Sequence, residues 1–87
     1  MAGVLERLYN AAEGAMADLK GMSGQPDAKI GNAAAETFNA RLRETKKVLQ
    51  VPLVQSMTEL NDQDPYMALI MRLRVLMAEL GAAAFPD

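Results

Sequence analysis

DPYMALIMRLRVLMAELG, running from Asp64 to Gly81, is bounded by helix signals at both ends. Asp64 is a good N-cap, Pro65 suits the first helical position, and Gly81 is a natural stop. On a helical wheel the stretch shows two apolar faces. One carries Tyr66, Leu69, Ile70, Leu73, Leu76, Met77 and Leu80; the other carries Met67, Ala68, Met71, Val75 and Ala78. Arg74 separates them on one side, Arg72 and Glu79 on the other. A surface helix needs only one apolar stripe, so a helix with two lies between layers or joins two molecules.

Working outward, NDQDP (61–65) reads as the turn that leads into this helix. Asp62, Asp64 and Asn61 could be taken for a metal loop, but the run lacks the central glycine and closing glutamate of a calcium loop. A polar turn with an N-cap is the simpler reading. Before the turn, Pro52 interrupts an apolar phase that runs through Ile30, Ala34, Phe38, Leu42, Thr45, Val48 and Leu49. A proline in a helix interior costs about 3 kcal/mol, so the chain breaks or kinks near Val51. Leu53, Met57 and Leu60 keep the phase, which predicts a short helix over 52–60. The preceding helix is expected from about Ala28 to Gln50, with Asn32, Glu36, Asn39, Arg43, Lys47 and Gln50 on its wet face. Either Asp27 or Ser23 would cap it. Glu44 and Lys47 could pair on its surface.

The clearest break is Gly21 to Asp27, with two glycines and a proline in seven residues. Ahead of it, 2–22 reads as the first helix. Leu5, Leu8, Ala12, Ala15, Leu19 and Met22 form its stripe, widened by Val4, Ala11 and Met16. The small residues of NAAEGAMA would let another helix approach closely. Gly14 falls on the polar side, where it costs helix stability. The tail carries Phe85, which either folds back onto the bundle or docks on a neighbour. The expectation is therefore an all-α fold: one helical domain over 1–87, three main helices, and a proline-broken segment between the second and third.

Composition narrows function by exclusion. The 87 residues contain no cysteine and no histidine, so no disulfide staples the fold, the usual zinc ligand sets are missing, and so are the commonest general base and thiol nucleophile. No catalytic, cofactor or metal residue is assigned. A chain this short buries only roughly 60–65% of its unfolded surface, which leaves oligomerisation as the reinforcement. The net charge of −2 gives no general drive toward nucleic acid. Arg41, Arg43, Lys46 and Lys47 cluster without sharing a face, near a helix C-terminus that favours cations. Two tyrosines and two phenylalanines, unclustered, make no base-stacking platform. The longest apolar run, six residues, is too short to span a bilayer. Glu6 and Arg7 stand where a secretory signal would be apolar, so a cytoplasmic protein is expected. Tryptophan is absent, excluding a WXG motif, and no Asp-Ser-Leu triplet offers a carrier attachment serine.

What remains is a contact surface. Met67, Met71, Arg72, Arg74, Val75, Ala78 and Phe85 are its candidate residues, with methionine supplying adaptable packing. At least one of Arg72 and Arg74 is expected near an interface, with Glu79, a carboxylate of the first helix or an acidic ligand as its partner, an intersubunit ion pair being the simplest case. The expected partners are a second copy, most simply in a two-fold dimer, and another protein. The expected role is a small non-enzymatic interaction protein: an adaptor, a small chaperone, or an inhibitor of the kind phages and plasmids encode. A structural subunit of a virion or secretion assembly is the alternative. A binder of small anionic ligands or nucleotides at a subunit interface is a further one.

Overall fold

The computed structural model describes residues 3–19 and 27–86. It is helical, and no strand occurs among the described residues. The elements are α1 (Gly3–Leu19), α2 (Gly31–Val48), α3 (Pro52–Gln55) and α4 (Tyr66–Ala84). The end of the predicted first helix, and most of the predicted break after it, lie outside the described residues, as does Ser23.

The core is built on α4. Leu69, Leu73, Leu76 and Leu80 are all buried, at the spacing that puts them on one face. They meet Leu8, Ala12 and Leu19 of α1 and Phe38 and Leu42 of α2 in one cluster. The face that the wheel assigns to the interior is therefore the interior face. α1 is the main packing partner of α4. At their far end Gly81 lies against Tyr9: a Cβ at 81 would stand 3.2 Å from Tyr9 Cε1. Gly81 does not stop the helix, which continues to Ala84. Its local preference for a stop yields to packing, since the bare backbone lets Tyr9 come close.

α2 begins three residues later than expected. Residues 28–31 are drawn instead into backbone pairing with the turn before α4. Ile30 N–H donates to Asp64 O (2.9 Å), Gly31 N–H to Asp62 O (3.2 Å), and Tyr66 N–H to Ala28 O (3.0 Å). Lys29 and Pro65 form an isolated antiparallel bridge. Each helix start thus has an amide satisfied by the backbone leading into the other, where a side-chain cap was expected. Neither α2 nor α4 has a side-chain cap bond. Gly31 supports this entry with φ +84°, a conformation that residues with a Cβ rarely adopt. Asp64 serves the turn itself: its Oδ2 accepts from Asn61 N–H (2.8 Å), and Asn61 Oδ1 accepts from Gln63 N–H (2.8 Å).

Pro52 separates two helices; it does not kink one. α2 ends at Val48, Leu49 and Val51 are extended, and Pro52 opens the four-residue α3. For Val51 this is the backbone that a following proline imposes on its neighbour. The expected helix over 52–60 stops at Gln55, and Leu53 and Val48, read as interior, are exposed.

Residues 58–60 give the reason, because each is held by a different side chain. Arg72 Nε and Nη2 donate to Thr58 O (3.0 Å) and Oγ1 (2.9 Å). Arg43 Nε and Nη2 donate to the two carboxylate oxygens of Glu59 (2.8 and 3.0 Å). Asn39 Nδ2 donates to Leu60 O and Leu60 N–H donates back to Asn39 Oδ1, both at 2.8 Å. Asn39 is only 8% exposed, which corrects its placement on the wet face of α2. The segment is a strap between α2 and α4, so its backbone is satisfied without a helix. Glu44 pairs across to Arg7 of α1 (3.5 Å) rather than along the helix to Lys47.

Candidate functional site: the outer face of α4

With four leucines turned inward, the second apolar face of α4 points away from the core. Met67 is 44% exposed and Met71 59%, Ala78 is exposed, and Val75 and Ala68 are half-buried. Ala82, one turn beyond Ala78, extends the stripe. Of the seven sequence-derived contact residues, Met67, Met71, Arg74, Val75 and Ala78 share this face.

The other two stand apart from it. Arg72 is turned to the strap, with Nε and Nη2 on Thr58 and Nη1 directed at Ala68 O (3.4 Å). Its charge is engaged inside the molecule. Phe85 packs edge-on against Tyr9, with ring centroids 5.4 Å apart and planes at 84°, yet stays 53% exposed. The tail thus folds back onto α1. Arg74 is exposed and Glu79 half-buried, and neither has a hydrogen bond or ion pair among the described residues.

The electrostatics away from this face centre on the strap. The Arg43 hydrogen bonds hold the Glu59 carboxyl below its ordinary range, and Glu59 in turn raises the Arg43 guanidinium. Both groups are at the surface, so the pair orients the strap more than it stabilises the fold.

A concavity lies elsewhere on the molecule. Between α1 and α2 opens a cleft of about 570 Å³, floored by the α4 leucines. Ala11 and Ala15 line it from α1, Ala34 and Phe38 from α2, with Asp18, Thr37 and Arg41 adding polar groups. Its signal in the sequence is the run of small residues in NAAEGAMA and again in NAAAE (32–36). Small side chains leave room between α1 and α2 where close helix packing was expected. No helix of the described residues is long and apolar enough to cross a membrane. No family model, characterised protein or solved structure matches this chain.

Proposed function

We propose that this chain is a small non-catalytic interaction protein that works as a homo-oligomer, joined through the outer face of α4, and that acts on another protein. The observation that carries the reading is the apolar stripe Met67–Met71–Val75–Ala78. It lies opposite a completed core and runs along a helix about 28 Å long, from the α-helical rise of ~1.5 Å per residue. Single exposed apolar residues are ordinary; a continuous apolar stripe on one helix face marks an association surface. Covering a fully exposed methionine is worth roughly 1.5–3 kcal/mol, and Met67 at 44% and Met71 at 59% exposure together leave about one methionine's worth per protomer to bury. With α4 occupied, the α1–α2 cleft is the surface left for the other protein.

The structural-subunit alternative uses the same α4 face and differs only in whether the assembly closes. The anionic-ligand alternative loses support, because Arg72 is engaged by Thr58 and Arg74 alone makes no anion cradle.

Mass by light scattering after size exclusion, at low and high protein concentration, tests the proposal. The natural chain should run as a discrete oligomer, and Met71→Glu should run as a monomer of unchanged helicity. A natural chain with single-chain mass at every concentration refutes self-association. Mass that climbs without limit supports the structural subunit instead.

A further inference from the structure

We infer that α4 pairs with α4 of a second copy in parallel and in register, about a two-fold axis along the seam, with Arg74 of each copy facing Glu79 of the partner subunit. The inference rests on the self-association proposed above and adds its geometry.

The outer stripe has a definite spacing. Ala68, Met71, Val75, Ala78 and Ala82 follow one another at intervals of three, four, three and four. That alternation is the a/d pattern of a two-stranded coiled coil, with Ala68, Val75 and Ala82 at a, Met71 and Ala78 at d, and Met67 flanking the seam at g; Ala68, at the edge of the stripe, also packs against the core. The inward leucines 69, 73, 76 and 80 keep their own alternation of four, three and four. One helix thus carries two seams, and the described residues fill only one.

The flanking charges choose the orientation. In this register Arg74 is a g position and Glu79 is the e position that follows it, five residues on. Parallel helices bring g of one strand beside the next e of the other, which is the Arg74-to-Glu79 offset. The two-fold axis makes the pair twice. It gives partners to two charges that have none among the described residues.

Antiparallel pairing is the competing arrangement, and it places e against e and g against g. Glu79 would then face an Arg72 whose Nε and Nη2 are committed to Thr58. Arg74 would face a glycine, Gly81. The straps, tied to the Arg72 flank of each α4, would also be brought toward each other.

The chain lacks cysteine, so a single introduced thiol is unique. Met71→Cys and Ala82→Cys, each alone in the full chain, are oxidised and run on non-reducing gels. Both should give the covalent dimer, because each site meets its own copy across the axis. In the antiparallel arrangement residue 71 lies about 16 Å along the axis from its own copy, at ~1.5 Å rise per residue, beyond disulfide reach. There only the double variant Met71→Cys/Ala82→Cys would cross-link, and that result overturns the inference. Leu53→Cys, exposed and off the seam, is the control for random collision.

Charge reversal gives a second measurement. Arg74→Glu should weaken the dimer about tenfold by sedimentation, and Arg74→Glu/Glu79→Arg should restore it. A double variant no tighter than Arg74→Glu also overturns the pairing. A natural chain that stays monomeric refutes the self-association itself; a natural dimer without the two single cross-links refutes only the orientation.

Discussion

Asn39→Ala separates the surface that the sequence pattern suggests from the interior that the structure shows. On a solvated helix face the substitution should stabilise by roughly 0.5 kcal/mol, since alanine is the better helix former. In the structure Asn39 is buried and closes both backbone groups of Leu60 at 2.8 Å. Truncation removes two hydrogen bonds, each worth about 1 kcal/mol net, and leaves a buried N–H and C=O without partners. The expected loss is about 3 kcal/mol. For a chain of this length that is about a fifth or more of a total stability of roughly 4–13 kcal/mol. The melting midpoint should fall by more than ~10 °C. Urea unfolding followed by circular dichroism reads the change as a lower midpoint at constant slope. Asn39→Asp refines the test: its carboxylate can still accept from Leu60 N–H but cannot donate to Leu60 O. It also buries a charge, so it should be no better than alanine at neutral pH. A loss below ~0.5 kcal/mol for Asn39→Ala, or any gain, would falsify the strap as a structural element.

Three further outcomes follow from named contacts. Gly14→Ala should stabilise by about 0.8–1 kcal/mol, because the new methyl meets nothing within 4 Å on an exposed helix position; Gly81→Ala, facing Tyr9 at 3.2 Å, should gain distinctly less in the same melting assay. Arg72→Met should loosen the strap at Thr58 and cost about 1–3 kcal/mol, with faster amide exchange over 57–60 in native-state hydrogen exchange as the readout. Glu59 has a lowered pKa in the fold, so its contribution is present above the carboxylate's unfolded value and is lost as pH falls through the lower folded value. Glu59→Gln should therefore narrow the stability difference between neutral and acidic pH, measured by urea midpoints down through the carboxylate range.

The parts legible in the sequence are those set by local period and chemistry. The spacing of Leu69, Leu73, Leu76 and Leu80 identifies the inner face of α4, and Met67 and Met71 fall on the outer face that the wheel assigns them. Pro52 ends a helix because a proline constrains its own neighbourhood. What the sequence hides is set by residues far apart. The late start of α2 reflects backbone bonds from residues 30 and 31 to the carbonyls of 62 and 64, which no periodicity records. Asn39 looks solvated because its partner, Leu60, is 21 positions away. Leu53, Met57 and Leu60 share a helical phase by spacing, yet 58–60 lie outside any helix, where three side chains from α2 and α4 reach them. Gly81 carries the local signal of a stop and is overruled by the approach of Tyr9.

The strap also explains why the outer face of α4 is left bare. Thr58 ties down on Arg72 and so occupies the flank of α4 beside the outer stripe. α1 covers the other side, with Tyr9 against Gly81 and Phe85 folded onto Tyr9. Between these two neighbours no further element among the described residues covers Met67, Met71, Val75 and Ala78. In a chain of 87 residues with no disulfide to add stability, an apolar stripe turned to water is a liability for solubility unless something covers it. The proposed self-association would remove that liability and supply stability that a small core lacks, since a partner that binds only the folded state shifts the folding equilibrium toward it. The thermal midpoint of the natural chain should consequently rise with protein concentration. That of Met71→Glu should not, because its core and strap are intact and only the surface on which the second copy would sit is gone.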